Sequence, residues 1–263
     1  MVVNRLKSEQ PRRLVISGAS SGLGLALAQH YLAQGATVAV IARRADLLQT
    51  LCHHFPQQVY CYPLDICDAT AMQVAAQDFI ARAGVPDIVI ANAGVSVGTL
   101  TDYAEDIDAF QQVMNINVLG AVKTFQPFVS SMRTAGRGRL VGIASVAGLR
   151  GLPGAGAYSA SKAALISYLE SLRVELHGSG VRVVTICPGY IKTAMTDVNP
   201  YSMPFILDAE VAARRIARVI ESGKSFAVVP WQMAVVGCVL KLLPNWLYDR
   251  LFVHAPRKPR RII

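Results

Sequence analysis

The chain has 263 residues, of which 52% are hydrophobic and 16% are charged, and its formal net charge at pH 7 is +9. It is long and apolar enough to bury a sizeable core, which excludes a disordered chain. Most of the positive charge lies in two terminal stretches, residues 5–13 and 257–261, so we expect no nucleic acid partner for the folded domain.

Short runs of β-branched residues alternate with longer helical patterns along almost the whole chain. The strands are nearly all apolar rather than alternating, which is typical of a parallel sheet covered by helices on both faces. The predicted strands are residues 13–17, 37–42, 58–63, 87–91, 139–144, 181–187 and 225–229, and the predicted helices include 23–34, 69–83, 104–133 and 157–177. This order predicts an α/β fold with a doubly wound, seven-stranded, Rossmann-like parallel sheet. We assign residues 12–230 to this single domain and 231–263 to a hydrophobic C-terminal helical extension with a basic tail.

A glycine-rich turn, SGASSGLG at residues 17–24, follows the first predicted strand and leads into a helix. Glycines let the backbone turn tightly and approach a pyrophosphate, and the helix N-terminus attracts the anion. The spacing G-x-x-x-G-x-G differs from the common dinucleotide fingerprint, so a turn without a ligand remains an alternative. The predicted pyrophosphate-binding residues are Gly18, Ser20, Ser21, Gly22, Leu23 and Gly24.

The end of the second predicted strand indicates which cofactor is bound. An acidic residue at this point would bind the ribose of NAD, whereas here the strand ends at Arg43 and Arg44. A guanidinium suits a 2′-phosphate, so Arg43 predicts NADP (NADPH), with a solvated helix start as the alternative. Asp65, after the third strand, is either a partner of the adenine amino group or a helix cap. Asn92 and Gly94 close the fourth strand, where small residues let the cofactor lie against the sheet edge.

Tyr158 and Lys162 lie one helical turn apart on one face of a predicted helix. A nearby cation lowers the pKa of a phenol from about 10 toward neutrality, which suits Tyr158 to transfer the proton in a carbonyl reduction. Ser145, at the end of the fifth predicted strand, can hydrogen-bond the same substrate oxygen. Asn117, inside an apolar helical segment, is either a satisfied core amide or the holder of a proton-relay water.

The motifs SGASSGLG, LDI, ANAG, NVLG, YSASK and CPGYIKT follow one another within residues 12–230. In this order they resemble the short-chain dehydrogenase/reductase family. The resemblance implies that Lys162 also binds the nicotinamide ribose and that Thr193 reaches the carboxamide. The implied catalytic tetrad is Asn117, Ser145, Tyr158 and Lys162, and the implied cofactor contacts also include Tyr158, Lys162, Pro188, Gly189 and Thr193. Ser17 stands where threonine is usual and Ala91 where asparagine is common, and neither departure changes the expected chemistry.

The resemblance implies an oxidoreductase that transfers hydride between NADP(H) and a small-molecule ketone or the matching secondary alcohol. Residues 190–208 would fold over the substrate as a lid, and their apolar and aromatic content predicts a lipophilic ketone and a role in lipid metabolism. One alternative is a non-catalytic NADP(H)-binding regulator. Another is a serine hydrolase with Ser20 as nucleophile, because residues 18–22 also spell G-x-S-x-G.

Beyond the last predicted strand, residues 231–243 form an apolar run whose only charge is Lys241. The run is too short to span a bilayer, which needs roughly 20 apolar residues. It is therefore a core helix, a subunit interface or a helix lying in one leaflet. Aromatic residues and the basic tail at 257–261 follow it, a combination suited to an anionic membrane surface. We expect a homodimer or homotetramer, with peripheral membrane contact through the C-terminus as the alternative.

The five cysteines are odd in number, and none of their spacings matches a zinc site. Four of them lie in or beside apolar runs, as buried free thiols do. We therefore expect free cysteines, a reducing compartment and no bound metal. The residues before the first strand lack the apolar segment of an export signal, so the expected location is cytoplasmic.

Overall fold

Strands and helices alternate along the computed structural model, which describes residues 11–260. The strands are β1 (Arg13–Ser17), β2 (Thr37–Ala42), β3 (Val59–Pro63), β4 (Ile88–Ala91), β5 (Gly138–Ile143), β6 (Val181–Pro188), β7 (Ile191–Lys192), β8 (Leu207–Asp208) and β9 (Phe226–Val229). The α-helices are α1 (Gly22–Leu32), α2 (Ala45–His54), α3 (Ala69–Ala83), α4 (Asp106–Met114), α5 (Gly120–Thr134), α6 (Gly156–Glu175), α7 (Ala194–Asp197), α8 (Ala209–Ser222), α9 (Trp231–Leu242) and α10 (Asn245–Phe252).

The central sheet contains seven parallel strands in the order β3-β2-β1-β4-β5-β6-β9. The predicted doubly wound, Rossmann-like sheet is therefore confirmed. From β1 the chain proceeds to β2 on one side, and it later returns to β4 on the other, which opens a crevice at the carboxyl ends of β1 and β4. β7 and β8 form a separate two-stranded sheet that the sequence did not predict.

Each face of the sheet carries its own apolar layer, because successive strand residues point to opposite faces. Leu14 and Ile16 of β1 are fully buried in the layer that contains α1 and α8. Val15 between them is fully buried in the layer that contains α3, α5 and α6. This arrangement explains why the strands are mostly apolar on both faces, and it fixes the strand ends that carry the site residues.

The predicted helix of residues 104–133 is divided into three parts. α4 ends at Met114, a π-helical turn covers Asn115–Leu119, and α5 begins at Gly120. Turns of this kind widen a helix locally and often occur at functional sites. Here the π-helical turn holds Asn117, which is fully buried.

The expectation of free cysteines is wrong for one pair. Cys52 on α2 and Cys61 on β3 are joined by a disulfide, with their Cα atoms 6.6 Å apart. The short connection between α2 and β3 brings the two positions side by side, which the spacing in the sequence does not reveal. Cys67, Cys187 and Cys238 are free. The expectation of a reducing compartment rested on five free cysteines, and two of the five are paired.

The C-terminal helices dock on the loop that follows β5. Arg150 of this loop donates from Nη1 to Leu240 O at 3.1 Å and to Leu243 O at 3.0 Å. The Tyr248 hydroxyl donates to Gly151 O at 2.5 Å. Within residues 11–260, no helix is both long enough and apolar enough to cross a membrane.

The described part of the basic tail is bound to the protein's own surface. Arg260 forms ion pairs with Asp106 at 2.8 Å and with Glu105 at 2.9 Å, and its guanidinium lies 3.5 Å from the ring centroid of Tyr103. Lys258 is 9% exposed. The expectation of a tail available to an anionic surface is therefore wrong for these two cations, because acceptors within the chain already hold them.

Candidate active site

A cleft of about 750 Å³ opens at the carboxyl ends of the strands, beside β1 and β4. Ligands of doubly wound sheets bind at such positions. Every predicted site residue lines this cleft except Gly24 and Asn117. The predicted residues that line it are Gly18, Ser20, Ser21, Gly22, Leu23, Arg43, Asp65, Asn92, Gly94, Ser145, Tyr158, Lys162, Pro188, Gly189 and Thr193. The fold thus brings together motifs that are far apart in the sequence.

The glycine-rich turn is shaped by contacts inside the protein. Gly18 and Gly22 have positive φ angles of 69° and 55°, which favour glycine. A Cβ at Gly24 would lie 2.2 Å from Gly18 O, so Gly24 is needed for close packing of α1 against the turn. The Asn92 side chain, at the end of β4, donates to Ser17 O at 3.1 Å and to Gly18 O at 3.2 Å. Asn92 and Gly24 therefore position the turn.

The start of α1 fits a pyrophosphate. The helix has no acidic residue in its first turn, and its N-cap residue Ser21 makes no side-chain capping bond. The positive end of the helix dipole is therefore available to an anion. A Cβ at Gly22 would lie 3.0 Å from Thr193 Cγ2, so the turn and Thr193 face each other across a narrow part of the cleft.

Arg44 is a cleft residue that the sequence analysis did not single out. Its Nη2 donates to Ser20 Oγ at 2.9 Å and to Ser21 Oγ at 2.7 Å. Arg43, the predicted phosphate ligand, also lines the cleft and is exposed. The sequence showed two adjacent arginines, but which guanidinium turns toward the glycine-rich turn depends on how α2 begins. The two arginines and two hydroxyls form a group of donors beside the end of β2.

Asp65 lies in the cleft wall just beyond β3. Its Oδ1 accepts a hydrogen bond from Cys67 N at 2.8 Å. The cap of α3 is instead Asp68, whose carboxylate accepts from Ala71 N at 3.0 Å. The helix-cap alternative is therefore wrong for Asp65, and its contact with adenine stays a prediction.

Tyr158, Lys162 and Ser145 converge where β5 ends and α6 begins. Lys162 Nζ lies 5.8 Å from the ring centroid of Tyr158 and donates to Ile143 O at 2.8 Å. Ser145 Oγ accepts from Ala147 N at 3.1 Å. The Tyr158 and Ser145 side chains both line this end of the cleft, and Ser145 is close enough to act on the pKa of the Tyr158 hydroxyl. This geometry puts two hydroxyls and one ammonium at the same end of the cleft.

Burial dominates the ionisation of Tyr158. Removal of its hydroxyl from water raises the pKa of Tyr158, and the neighbouring Ser145 side chain opposes this rise only in part. Burial also lowers the pKa of Lys162 to about 8. The expectation that Lys162 lowers the pKa of Tyr158 is wrong for this structure. The ammonium donates to Ile143 O, and desolvation is the largest influence on the pKa of the phenol.

Asn117 lies behind the cleft wall. Its Oδ1 accepts from Val95 N at 2.8 Å, and its Nδ2 donates to Val95 O and to Ser161 Oγ, both at 2.9 Å. These bonds match the alternative of a satisfied core amide. The Asn117 amide and the Lys162 ammonium both lie beside Gly94. A Cβ placed on Gly94 would be 3.1 Å from Asn117 Oδ1 and 3.5 Å from Lys162 Nζ. The role of Asn117 on a proton-relay water stays a prediction.

The segment predicted as a lid forms one wall of the cleft, with β7, α7 and β8 as its ordered parts. Thr193 begins α7 through a capping box with Thr196. Met195 lines the cleft, whereas Phe205 and Ile206 of the same segment are exposed outside its lining. The apolar residues that this segment contributes to the cleft are Ile191, Ala194 and Met195.

Lys258 is a neighbour of the cleft that the sequence analysis missed. Its Nζ donates to Ser96 Oγ and to Met195 O, both at 3.1 Å, which ties the C-terminal tail to the lid and to the loop after β4. Burial lowers the pKa of Lys258 to about 8. No signal in the sequence distinguishes Lys258 from the other tail cations, because only the fold brings it beside Ser96.

Comparison with known proteins agrees with this geometry. The family model that matches is described as short chain dehydrogenase, and it matches residues 12–201. The chain is 40% identical over 243 residues to an uncharacterized oxidoreductase of Myxococcus xanthus, which covers 90% of this chain and 95% of the relative. It is 34% identical over 211 residues to 2-dehydro-3-deoxy-L-rhamnonate dehydrogenase (NAD(+)) of a Sphingomonas species. This match covers 80% of the chain and 84% of the relative.

Solved structures share the fold. A short chain dehydrogenase from Burkholderia cenocepacia in complex with NADP has a TM-score of 0.80 and 25% identity, covering 92% of this chain and 98% of that one. A short-chain dehydrogenase from Streptomyces avermitilis has a TM-score of 0.78 and 27% identity, covering 88% and 92%. The family model and the Myxococcus relative each match well over half of the chain. The chain therefore belongs to the short-chain dehydrogenase/reductase family of oxidoreductases.

Proposed function

We propose that this oxidoreductase transfers hydride between NADP(H) and a ketone or the matching secondary alcohol, with Tyr158 as general acid and base. The observation that carries the proposal is that Tyr158, Ser145 and Lys162 line the same cleft, with Lys162 Nζ 5.8 Å from the ring centroid of Tyr158. Two adjacent hydroxyls can both hydrogen-bond one carbonyl oxygen, which is the arrangement that a carbonyl reduction requires.

The bound cofactor supplies or accepts the hydride, and the protein handles the proton. In the reducing direction, Tyr158 donates its proton to the substrate oxygen. Its raised pKa suits this direction, because the phenol keeps its proton at neutral pH. Ser145 donates a hydrogen bond to the same oxygen and stabilises the developing alkoxide. An ammonium has three donors, so Lys162 can bind the nicotinamide ribose while it also donates to Ile143 O.

The preference for NADP is proposed from the donors beside β2. Arg43, Arg44, Ser20 and Ser21 together offer two guanidiniums and two hydroxyls to a 2′-phosphate. The Burkholderia structure holds NADP, whereas the Sphingomonas relative is named for NAD(+), so family membership alone does not decide the cofactor. The ratio of kcat/KM for NADPH and NADH tests this part of the proposal.

For the substrate we propose a lipophilic ketone, with a role in lipid metabolism. Met195 of the lid segment is an exposed apolar side chain in the cleft, and covering it with an apolar ligand is favourable. Phe205 and Ile206 of the same segment are also exposed, outside the cleft lining, and closure of the segment over such a ligand would cover them as well. Ketones of increasing chain length, assayed for NADPH oxidation, test this substrate class. KM should fall as the chain lengthens. A preference for short, polar ketones would contradict it.

The two alternative functions make different predictions. In the hydrolase alternative Ser20 needs a general base, yet its Oγ accepts from Arg44 Nη2, and a guanidinium cannot accept a proton. A fluorophosphonate probe should therefore leave Ser20 unlabelled. The non-catalytic regulator would bind NADPH without oxidising it, so turnover with any ketone eliminates that alternative.

We propose that the exposed apolar face of α9 and α10 joins copies of the chain in a homodimer or homotetramer. Only Met233 and Gly237 of α9 are buried, so the core-helix alternative is wrong, and Trp231 and Trp246 are 70% and 68% exposed. Peripheral membrane contact is the alternative, and a cytoplasmic location stays a prediction. If residues 231–263 mediate assembly, deletion of these residues dissociates the oligomer. The intact protein should then stay in the soluble fraction when it is mixed with anionic liposomes in a flotation assay. Salt-sensitive flotation would contradict the interface.

A further inference from the structure

A second groove, of about 670 Å³, lies at the amino ends of the strands, at the opposite edge of the sheet from the active-site cleft. Arginines dominate its lining, and we call it the arginine groove. The arginines are Arg12, Arg13, Arg137, Arg139 and Arg182. None of them belongs to the proposed catalytic or cofactor site, so their clustering needs its own explanation.

The strand register brings these arginines together. Arg139 of β5 pairs with Arg182 of β6 on one side and with Ile88 of β4 on the other. Adjacent strands are about 4.8 Å apart, so the side chains of Arg139 and Arg182 leave the same face of the sheet close together. Neighbouring like charges oppose folding unless a counter-charge is near.

The carboxylates at the groove do not balance its charge. Asp87 is shared by two of the arginines, and Glu221 is shared by two others. Arg182 has no carboxylate partner among the residues that the structure describes. Five guanidinium groups therefore face two carboxylates, which leaves a local excess of positive charge.

Two buried polar atoms at this end of the molecule lack a hydrogen-bond partner within residues 11–260: Arg139 Nε and the Tyr31 hydroxyl. Burial raises the pKa of Tyr31, and the charges of Arg12 and Arg139 oppose that rise, so the three groups are close together. Burial and the charges of Arg12 and Arg182 lower the pKa of Arg139. Buried polar atoms nearly always have partners. The groove thus has positive charge that the described carboxylates do not balance, and Arg139 in its wall has a buried nitrogen without a partner among the described residues.

Arginines at this edge also stabilise helix C-termini, which carry partial negative charge. Arg13 Nη1 donates to Ala83 O at the end of α3, at 3.3 Å. A Cβ at Gly223, which follows α8, would lie 2.7 Å from Arg182 Nη1. These contacts explain why cations face this edge. They supply neither an acceptor for Arg139 Nε nor a carboxylate for Arg182.

We propose that the arginine groove binds a small molecule carrying two or more linked phosphate groups, at a site separate from the dinucleotide cleft. Guanidinium groups fork onto phosphate oxygens and stay charged at every working pH. A linked polyphosphate can contact arginines of several strands at once, which a single phosphate cannot. The groove also falls within the range of small-molecule sites, about 300–1,000 Å³.

The compact arrangement of the arginines favours a small ligand over a macromolecule. The side chains of Arg13 and Arg139 are 19% and 25% exposed and form the floor of the groove, whereas those of Arg12 and Arg137 are 44% and 54% exposed and stand at its rim. Nucleic acids and lipid surfaces are contacted by cations that protrude along an extended face. Here the cations are confined to the ends of neighbouring strands, which suits a compact polyanion.

Titration calorimetry of the full-length protein with sodium tripolyphosphate tests the proposal. Arg182→Gln removes an exposed arginine that has no carboxylate partner among the described residues, and it should weaken binding at the groove about tenfold or more. Arg173→Gln removes an exposed arginine on α6 and is the matched control. This control should bind tripolyphosphate as the wild type does. Equal affinity of the wild type and Arg182→Gln would overturn the proposal.

Tripolyphosphate can also enter the active-site cleft, so the double variant Arg43→Ala/Arg44→Ala separates the two sites. Binding at the groove should persist in this variant, and its complete loss there would overturn the proposal. Glu221→Gln tests whether removal of a carboxylate strengthens tripolyphosphate binding. It removes a carboxylate that competes for two of the arginines, so tripolyphosphate should bind several-fold more tightly.

Two further measurements complete the test. Thermal unfolding without ligand should show Arg182→Gln folded and at least as stable as the wild type, because a repulsive charge has been removed. Binding of a DNA duplex or an anionic vesicle that depends on Arg182 and resists displacement by tripolyphosphate would overturn the assignment to a small molecule. None of these measurements involves turnover, so their outcome is independent of the proposed oxidoreductase activity.

Discussion

The two edges of the sheet hold their cations in different ways. At the carboxyl edge, Lys162 donates to a main-chain oxygen and Arg44 donates to two serine hydroxyls. At the amino edge, Asp87 and Glu221 are shared among four arginines. A cation held by neutral acceptors keeps its field for an incoming anion, whereas a carboxylate partner cancels much of that field. The charge available to a ligand therefore depends on the partners of the cations as well as on their number. At the amino edge, the arginines outnumber the carboxylates, so part of their charge stays available for the proposed polyphosphate.

The largest expected effect is at the carboxyl edge. Tyr158→Phe removes the proposed general acid and should lower kcat by about 10²–10⁴-fold, since general acid catalysis contributes on this scale. NADPH binding, followed by fluorescence titration, should change little. Tyr168→Phe, on the same helix, is the control and should retain activity. Turnover of Tyr158→Phe close to that of the wild type would remove Tyr158 from the mechanism.

The cations of the cleft should distinguish the two cofactors. Arg44→Ala removes charge-assisted hydrogen bonds to the proposed 2′-phosphate and should lower kcat/KM for NADPH by about 10- to 100-fold. Arg43→Ala should act in the same direction. The value for NADH should hardly change, because NADH has no phosphate at this position. Arg82→Ala removes an exposed surface arginine and serves as the control. Equal losses with both cofactors would show that the arginines only support the fold.

Substitution of a charged residue should lower the free energy of unfolding more at the amino edge than at the carboxyl edge. Asp87 accepts from Arg13 N at 2.9 Å and pairs with two arginines, so Asp87→Ala should cost about 1–3 kcal/mol. Lys162→Met should change stability by less than about 1 kcal/mol, because relief of the buried charge offsets the lost bond to Ile143 O. Urea denaturation measures both, with Glu170→Gln as an exposed control. A larger loss for Lys162→Met than for Asp87→Ala would reverse the comparison.

The smallest expected effect is a titration shift. The pKa of Tyr158 is raised, so its phenol stays protonated to higher pH than an exposed tyrosine. In the protein without cofactor, the difference in near-ultraviolet tyrosinate absorbance between wild type and Tyr158→Phe should therefore develop only above about pH 10. A difference that develops near neutral pH would restore the expectation that Lys162 lowers the pKa of Tyr158.

The carboxyl edge could largely be predicted from the sequence, because its signals are local. Strands that are mostly apolar rather than alternating predict a sheet covered on both faces, and the polar motifs stand at the strand ends. Tyr158 and Lys162 share a helix face through their spacing alone. The choice between Arg43 and Arg44 could not be predicted, since it depends on the first turn of α2. The pKa of Tyr158 depends on burial, which the spacing of two residues does not report.

Contacts between distant parts of the chain explain the other differences. Lys258 reaches Ser96, and Arg260 reaches Asp106, only because the C-terminal tail crosses back over the domain. The arginine groove had a partial signal, because Arg13, Arg139 and Arg182 stand at or near the start of predicted strands. Their close approach depends on strand order and register, which propensity and hydrophobic pattern do not fix.

The central claim, that the cleft at the carboxyl edge transfers hydride from NADPH to a ketone with Tyr158 as the proton donor, is tested most directly by isotope transfer. The protein is incubated with NADPH deuterated at the hydride position and with a panel of lipophilic ketones, and the alcohols are analysed by mass spectrometry. The account predicts an alcohol heavier by the deuterium label with the wild type and almost none with Tyr158→Phe. An alcohol without the label, or an equal yield from Tyr158→Phe, would contradict it.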